Sequence, residues 1–137
     1  MIKGKIERIW LIDDSEIDNF IASTILQNEF RGLKTINFVN ALIAWQTIKN
    51  SKTNELPQII ILDWHLPLMT SERFINELSN CWPSDIKKPL ICLVSSSLNK
   101  KEILPLASHP WIDGYISKPL MKENLISILK NTVVSLA

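Results

Sequence analysis

Ile59-Ile60-Ile61-Leu62-Asp63 is the stretch on which the fold turns. It is apolar at four consecutive positions and then stops at a carboxylate. A strand that is apolar on both faces is covered on both faces, which is the signature of a parallel sheet between helical layers. The same grammar recurs on either side of it. Ile9-Trp10-Leu11-Ile12 stops at Asp13-Asp14, Leu90 to Val94 stops at Ser95, and Tyr115-Ile116-Ser117 stops at Lys118-Pro119. A fifth run, Thr35 to Val39, is short and partly polar, as suits an edge strand.

Helical patterns fill the intervals. Ser15 and Glu16 open the first, whose apolar face is expected to be Ile17, Phe20, Ile21 and Ile25, with Glu16, Asp18 and Asn19 elsewhere on the surface. Asn40 can cap a second helix carrying Leu42, Trp45 and Ile48, and Thr70 a third carrying Phe74, Ile75 and Leu78. Leu66-Pro67-Leu68-Met69 is expected to be a turn. Asn99-Lys100-Lys101-Glu102 has capping-box form. Pro105 then removes a donor inside the fourth helix, which should be short, kinked or displaced. The last helix, Met121 to Val134, groups Leu125, Ile128, Leu129 and Val133. Five strands alternating with five helices predict an α/β three-layer sandwich. Right-handed crossovers leave few topologies, and the flavodoxin-like order 2-1-3-4-5 is the one expected.

Composition fits one domain of 137 residues, with 46% hydrophobic residues to build a core. Fifteen basic and fourteen acidic residues give a formal charge of +1. That balance argues against direct nucleic-acid binding through bulk charge and against disorder. Cys81 and Cys92 lack metal-type spacing and fit a reducing compartment. No apolar run approaches membrane-spanning length, and the N-terminus is too short and too acidic for a signal peptide. The expectation is a soluble, cytoplasmic chain with no membrane insertion. Trp10, Trp45, Trp82 and Trp111 are expected in core or rim packing, and Trp64 exposed beside the site.

In a parallel sheet all strand C-termini share one edge. Asp13, Asp14, Asp63, Ser95 and Lys118 should therefore converge near the topological switch point, where such folds bind ligands. Three carboxylates together repel one another unless a cation sits among them. An all-oxygen set without a His or Cys group suits Mg2+ (or Mn2+), not zinc. Lys118 adds a positive charge and Ser95 a hydroxyl, so the set could neutralise a phosphoryl group from several sides. Asp63 stands alone after a central strand and is the expected nucleophile. The chain holds only three glycines and no nucleotide cradle, so the phosphoryl group should arrive already activated.

Four pieces in order carry a family resemblance: Leu11-Ile12-Asp13-Asp14-Ser15, Ile61-Leu62-Asp63-Trp64-His65-Leu66-Pro67, Leu93-Val94-Ser95-Ser96-Ser97 and Gly114-Tyr115-Ile116-Ser117-Lys118-Pro119. Their order and spacing cover roughly Ile9 to Val134 and resemble the receiver domains of two-component response regulators. The resemblance implies phosphorylation of Asp63 by a histidine kinase or histidine phosphotransfer protein. It implies Mg2+ on Asp14, Asp63 and the backbone carbonyl of His65, with Asp13 assisting through water. It makes Ser95 and Tyr115 the switch pair, Lys118 a phosphoryl contact, and Lys118-Pro119 a cis bond. It also implies a phosphoacceptor, not a turnover enzyme, signalling to a downstream protein target with no output domain following.

Departures from the family pattern are Ser95 for the commoner Thr, and Ser71 where Gly is usual. His65 and Ser97 occupy positions that tune phosphoryl lifetime, and Pro105 lies in the usual signalling surface. Three other functions compete. A phosphorylation-independent degenerate receiver would act only as a binding module. A haloacid-dehalogenase-type phosphatase would want a second Asp where His65 stands. A flavodoxin would want a Ser/Thr/Gly phosphate loop.

Overall fold

The computed structural model describes residues 6–96 and 100–132. Five strands alternate with five helices: β1 (Arg8–Ile12), α1 (Glu16–Glu29), β2 (Lys34–Phe38), α2 (Ala41–Asn50), β3 (Ile59–Asp63), α3 (Ser71–Cys81), β4 (Leu90–Ser95), α4 (Lys100–Ala107), β5 (Gly114–Ser117) and α5 (Lys122–Thr132). A single 3-10 turn, Thr53–Glu55, precedes β3. The sheet is parallel throughout, in the order β2-β1-β3-β4-β5. The expected sandwich and strand order are therefore what the chain adopts.

The all-apolar strands behave as their composition requires. Every residue of β3 and β4 is buried, and alternate side chains enter two separate cores. One core joins Trp10, Ile12, Ile60, Leu62, Ile91 and Leu93 to α2 and α3 through Ala44, Phe74 and Leu78. The other joins Ile9, Leu11, Ile61 and Cys92 to α1 and α5 through Leu26, Leu125 and Leu129. β2 is the half-polar edge its sequence suggests, with only Phe38 buried.

The caps fall where the sequence puts them. Asp18 N donates to Ser15 Oγ at 3.2 Å, Ile43 N to Asn40 Oδ1 at 2.9 Å and Arg73 N to Thr70 Oγ1 at 3.1 Å. The turn before α3 contains Leu68 at φ 70°, a left-handed residue exposed to solvent. Pro105 sits inside α4, which runs only eight residues. Asn99, Ser97 and Val133 lie outside the described residues, so their expected parts in a cap, a lifetime and a helix face lie there too.

The tryptophans divide as expected except at Trp64. Trp45, Trp82 and Trp111 pack against the first core, Trp82 and Trp111 edge to face at 6.1 Å. Trp10 is fully buried against Phe38, and its Nε1 is the buried side-chain polar atom without a hydrogen-bond partner among the described residues. Trp64 is half-buried on the core edge, not exposed.

The orientation of α1 corrects the sequence reading. Ile17, Phe20 and Ile21 face solvent, at 73%, 68% and 40% exposure, and only Ile25 packs against the core. The buried face is Asn19, Ala22, Ser23 and Leu26. At about 100° per residue these two faces lie roughly opposite each other. Polar geometry overrides hydrophobicity here. Asn19 is buried because its amide donates to Asp13 O at 3.0 Å and Phe38 O at 3.2 Å, tying two strand ends together. Small Ala22 and Ser23 then let the helix lie close to the sheet.

This orientation ranks two substitutions. Leu26→Ala should cost about 2–5 kcal/mol of unfolding free energy by opening a core cavity. Ile17→Ala should stay within about 0.5 kcal/mol. Urea denaturation of the two variants checks the order, and equal losses would mean that Ile17 is buried after all.

Candidate phosphoryl and metal site

The five residues picked out by their positions after strands sit at one edge of the sheet, and geometry links four of them directly. Carboxylate oxygens of Asp13, Asp14 and Asp63 lie within 4.8 Å of one another. Lys118 Nζ reaches Asp13 Oδ2 at 2.8 Å and Asp63 Oδ2 at 3.4 Å. Asp13 and Asp63 are buried and Asp14 is exposed, so the group opens to solvent on the Asp14 side.

Each side chain is held by its local backbone. Asp13 follows β1, where its N–H donates to Phe38 O at 3.0 Å. Its Oδ1 accepts from Ser15 N at 2.9 Å, so one oxygen serves the turn and the other the lysine. Asp63 closes β3, and its Oδ1 accepts from His65 N at 3.3 Å. The structure thus ties His65 to Asp63 by its N–H. Lys118 follows β5, and its N–H donates to Ser95 O at 2.8 Å, which fixes it beside β4. The Lys118-Pro119 bond is cis, as the resemblance implies.

Ser95 is fully buried at the end of β4. Tyr115 is half-buried beside the first core, and its hydroxyl accepts from Ser117 Oγ at 3.3 Å.

Three residues play parts that the sequence reading did not assign. Asp18, expected on the outer surface, binds Lys118 Nζ at 2.8 Å, as closely as Asp13 does. The available signal was the cap: Ser15 starts the helix, which places Asp18 in its first turn on the side of the strand ends. Asn19 anchors the backbone of Asp13, as described above. Ser71, the departure from glycine, is buried and donates from Oγ to Trp64 O at 2.8 Å. Its hydroxyl ties the start of α3 to the loop that leaves Asp63, a bond that glycine would not provide.

The electrostatics follow from this crowding. Asp63 is pushed up from 3.8 to about 6, first by burial and next by the neighbouring Asp13 charge, against the pull of Lys118. Burial works against the charged form of Lys118, but the hydrogen-bonded carboxylates of Asp13 and Asp18 outweigh it and hold its pKa above the ordinary lysine value. One ammonium therefore serves three carboxylates, and Asp14 makes a fourth acidic group at the mouth. Such a set fits a small hard cation. Its donors are all oxygens, two of the three clustered acids are buried, and their mutual repulsion is relieved by positive charge.

No family model matches the sequence, and a search of curated proteins finds no match. Solved structures do match over nearly the whole chain. A two-component response regulator from Cytophaga hutchinsonii is similar at TM-score 0.81 and 26% identity, over 96% of this chain and 100% of that one. A CheY-like response regulator receiver domain protein from Methanospirillum hungatei gives 0.74 at 20% identity, over 92% of each chain. The receiver domain of the sensor histidine kinase PA1611 from Pseudomonas aeruginosa gives 0.74 at 16% identity, over 94% of this chain and 98% of that one. That domain was solved with a magnesium ion coordinated in its active-site cleft.

The raised Asp63 value makes a stability prediction with a definite sign. The folded state holds the Asp63 proton more tightly than the unfolded chain does. The associated stabilisation is full below about pH 4 and is lost as pH rises through about 6. Asp63→Asn should therefore be more stable than the unsubstituted protein at pH 7.5 in chelator. That advantage should grow by roughly 1 kcal/mol between pH 5 and pH 7.5. Paired urea melts at the two pH values measure it, and a pH-independent difference would contradict the burial of that carboxylate.

Proposed function

We propose that this chain, which folds as a response-regulator receiver domain of two-component systems, accepts a phosphoryl group on Asp63 and thereby switches a protein-binding surface. The observation that carries the reading is Asp63 itself. It is a buried carboxylate at the switch-point strand end, with Lys118 Nζ 3.4 Å from one oxygen and Asp13 and Asp14 within reach of the other acids.

The donor is a phosphohistidine on a histidine kinase or histidine phosphotransfer protein. An Asp63 oxygen attacks phosphorus, the P–O bond forms, the P–N bond breaks, and its electron pair returns to the donor imidazole. Asp63 must be ionised to attack; burial pushes its carboxyl up to about 6 without a metal, and a cation beside it would draw that value down. Lys118 neutralises charge on the arriving oxygens from the side opposite the acidic mouth. Asp13 and Asp18 position that lysine and keep it protonated. Mg2+, or Mn2+, held by Asp13, Asp14, Asp63 and the His65 carbonyl, would supply the remaining positive charge. The Ser95 hydroxyl then turns to the phosphoryl group, and Tyr115 follows inward, giving up its bond from Ser117.

Two features favour a phosphoacceptor over a phosphatase that turns over. Position 65 offers Asp63 only a backbone N–H, so no second carboxylate stands two residues on to act as acid and base. Lys118, half-buried and bound by three acids, is a charge partner with no free lone pair. The downstream target is a protein that binds the switched surface.

Incubation with acetyl phosphate and Mg2+, followed by intact-mass measurement, should give one phosphoryl adduct. Asp63→Asn should give none, and Lys118→Ala should slow formation by about tenfold or more. p-Nitrophenyl phosphate should not be turned over. Full adduct on the Asp63→Asn protein would remove the nucleophile, and no adduct on the unsubstituted chain would leave a phosphorylation-independent binding module.

A further inference from the structure

The free edge of the sheet at β2 carries an unusual load of exposed apolar surface. Lys34 N donates to Glu7 O at 2.9 Å and Asp13 N donates to Phe38 O at 3.0 Å, so residues 34 and 38 turn their backbone toward β1. Backbone direction alternates along a strand. Ile36 therefore also faces β1, and the N–H and C=O groups of Thr35 and Asn37 point outward. Among the described residues no strand pairs with that edge. A groove of about 950 Å³, lined in part by Trp10, Thr35 and Ile36, runs beside it.

Apolar side chains flank the edge on both sheet faces. Ile36 and Val39 come from the strand and its exit, at 45% and 41% exposure. Phe20, at 68%, shares an α1 face with Gln27, whose Nε2 donates to Thr35 Oγ1 at 2.9 Å, so this face lies along β2. Ile43, at 47%, lies more than about 100° round α2 from Trp45 and Lys49. Those two mark the α3 side of that helix: Lys49 is close enough to Cys81 to oppose the upward push of burial and Glu77 on its thiol. Ile43 is thus on the side away from α3, toward the sheet edge.

We propose that two copies of this chain pair through β2, antiparallel about a twofold axis at Ile36, into a continuous ten-stranded sheet. The backbone phase selects that axis. With Ile36 opposite Ile36, Thr35 of each copy faces Asn37 of the other, so the outward groups form about four hydrogen bonds. The same register sets Lys34 against Phe38, so no like charges oppose each other. At the stated exposures Phe20, Ile36, Val39 and Ile43 offer roughly 350–400 Å² of apolar surface per copy. That is about half of the roughly 800 Å² each partner buries in a standard interface, and the strand backbone and polar rim supply the rest. A second copy is favoured over an unrelated partner because the register is self-complementary. The pairing is independent of the chemistry at Asp63.

Sedimentation equilibrium of the full chain, without acetyl phosphate, should show a dimer whose fraction rises with concentration. Ile36→Lys brings two ammonium groups together on the axis and should weaken dimerisation by about tenfold or more. Leu104→Ser, which removes a still more exposed apolar residue of α4, should leave it unchanged. Circular dichroism melts confirm that both variants fold. In a Cys81→Ser background, Ile36→Cys should oxidise to a disulfide-linked dimer, because directly opposed residues of this pair type stand about 4.5 Å apart at Cα. Leu104→Cys in the same background should not. A chain monomeric at every concentration up to the millimolar range overturns the proposal and leaves the edge to another partner. So does a dimer indifferent to Ile36→Lys, or crosslinking at Ile36→Cys no faster than at Leu104→Cys.

Discussion

The contact between Lys118 and its three carboxylates organises this molecule. Asp13 follows the first strand, Asp18 belongs to the first helix, Asp63 to the central strand, and Lys118 to the loop after the last strand. Removing any one of these charges from water is costly, and a buried acid with no cation beside it more costly still. The ammonium makes the buried acids tolerable without satisfying them, since acidic groups outnumber it at the pocket. Burial first, and then the neighbouring Asp13 charge, hold Asp63 above the ordinary carboxylate value against the pull of that ammonium. The pocket is strained by charge, not by backbone, and a cation and a phosphoryl group arriving together would balance each other.

The fold makes this concentration of charge possible. Strands buried on both faces can afford a polar residue only at their ends, and a parallel sheet gathers one kind of end along one edge. The two cores hold the sheet so that Asp63 is fixed at its base by the full burial of β3. The peptide that carries Asp13 is locked twice, by its own N–H to β2 and by the Asn19 amide. Ser71 does the same for the other wall, holding the loop from Trp64 onward to the first turn of α3. Asp13 and Asp63 therefore stand on well-packed elements, and in the proposed switch Ser95 and Tyr115 are the groups that move.

Most of the architecture was legible because its cause is local. Runs such as Ile59 to Leu62 have no polar face to offer, and the residues ending them announce the functional edge. Caps at Ser15, Asn40 and Thr70 work by hydrogen bonds spanning three residues. The face of α1 was not legible, because its deciding contacts are non-local. Asn19 is buried by two carbonyls, one of them nineteen residues away, and hydrophobic spacing alone pointed to the opposite side. Asp18 was hidden for the same reason, its partner being a hundred residues distant. Ser71 stood out only as a departure from a pattern, and the carbonyl that its hydroxyl binds could be found only in space.

That hundred-residue separation also orders events during synthesis. A chain emerging from the ribosome has made Asp13, Asp18 and Asp63 long before Lys118. Until β5 is complete, the first four strands can assemble only around uncompensated negative charge. The nascent domain is then an acid-lined shell that opposes its own closure, and arrival of the lysine seals it. The paired pocket thus needs the chain through residue 118, and fragments cut short before it leave Asp13, Asp18 and Asp63 without their ammonium.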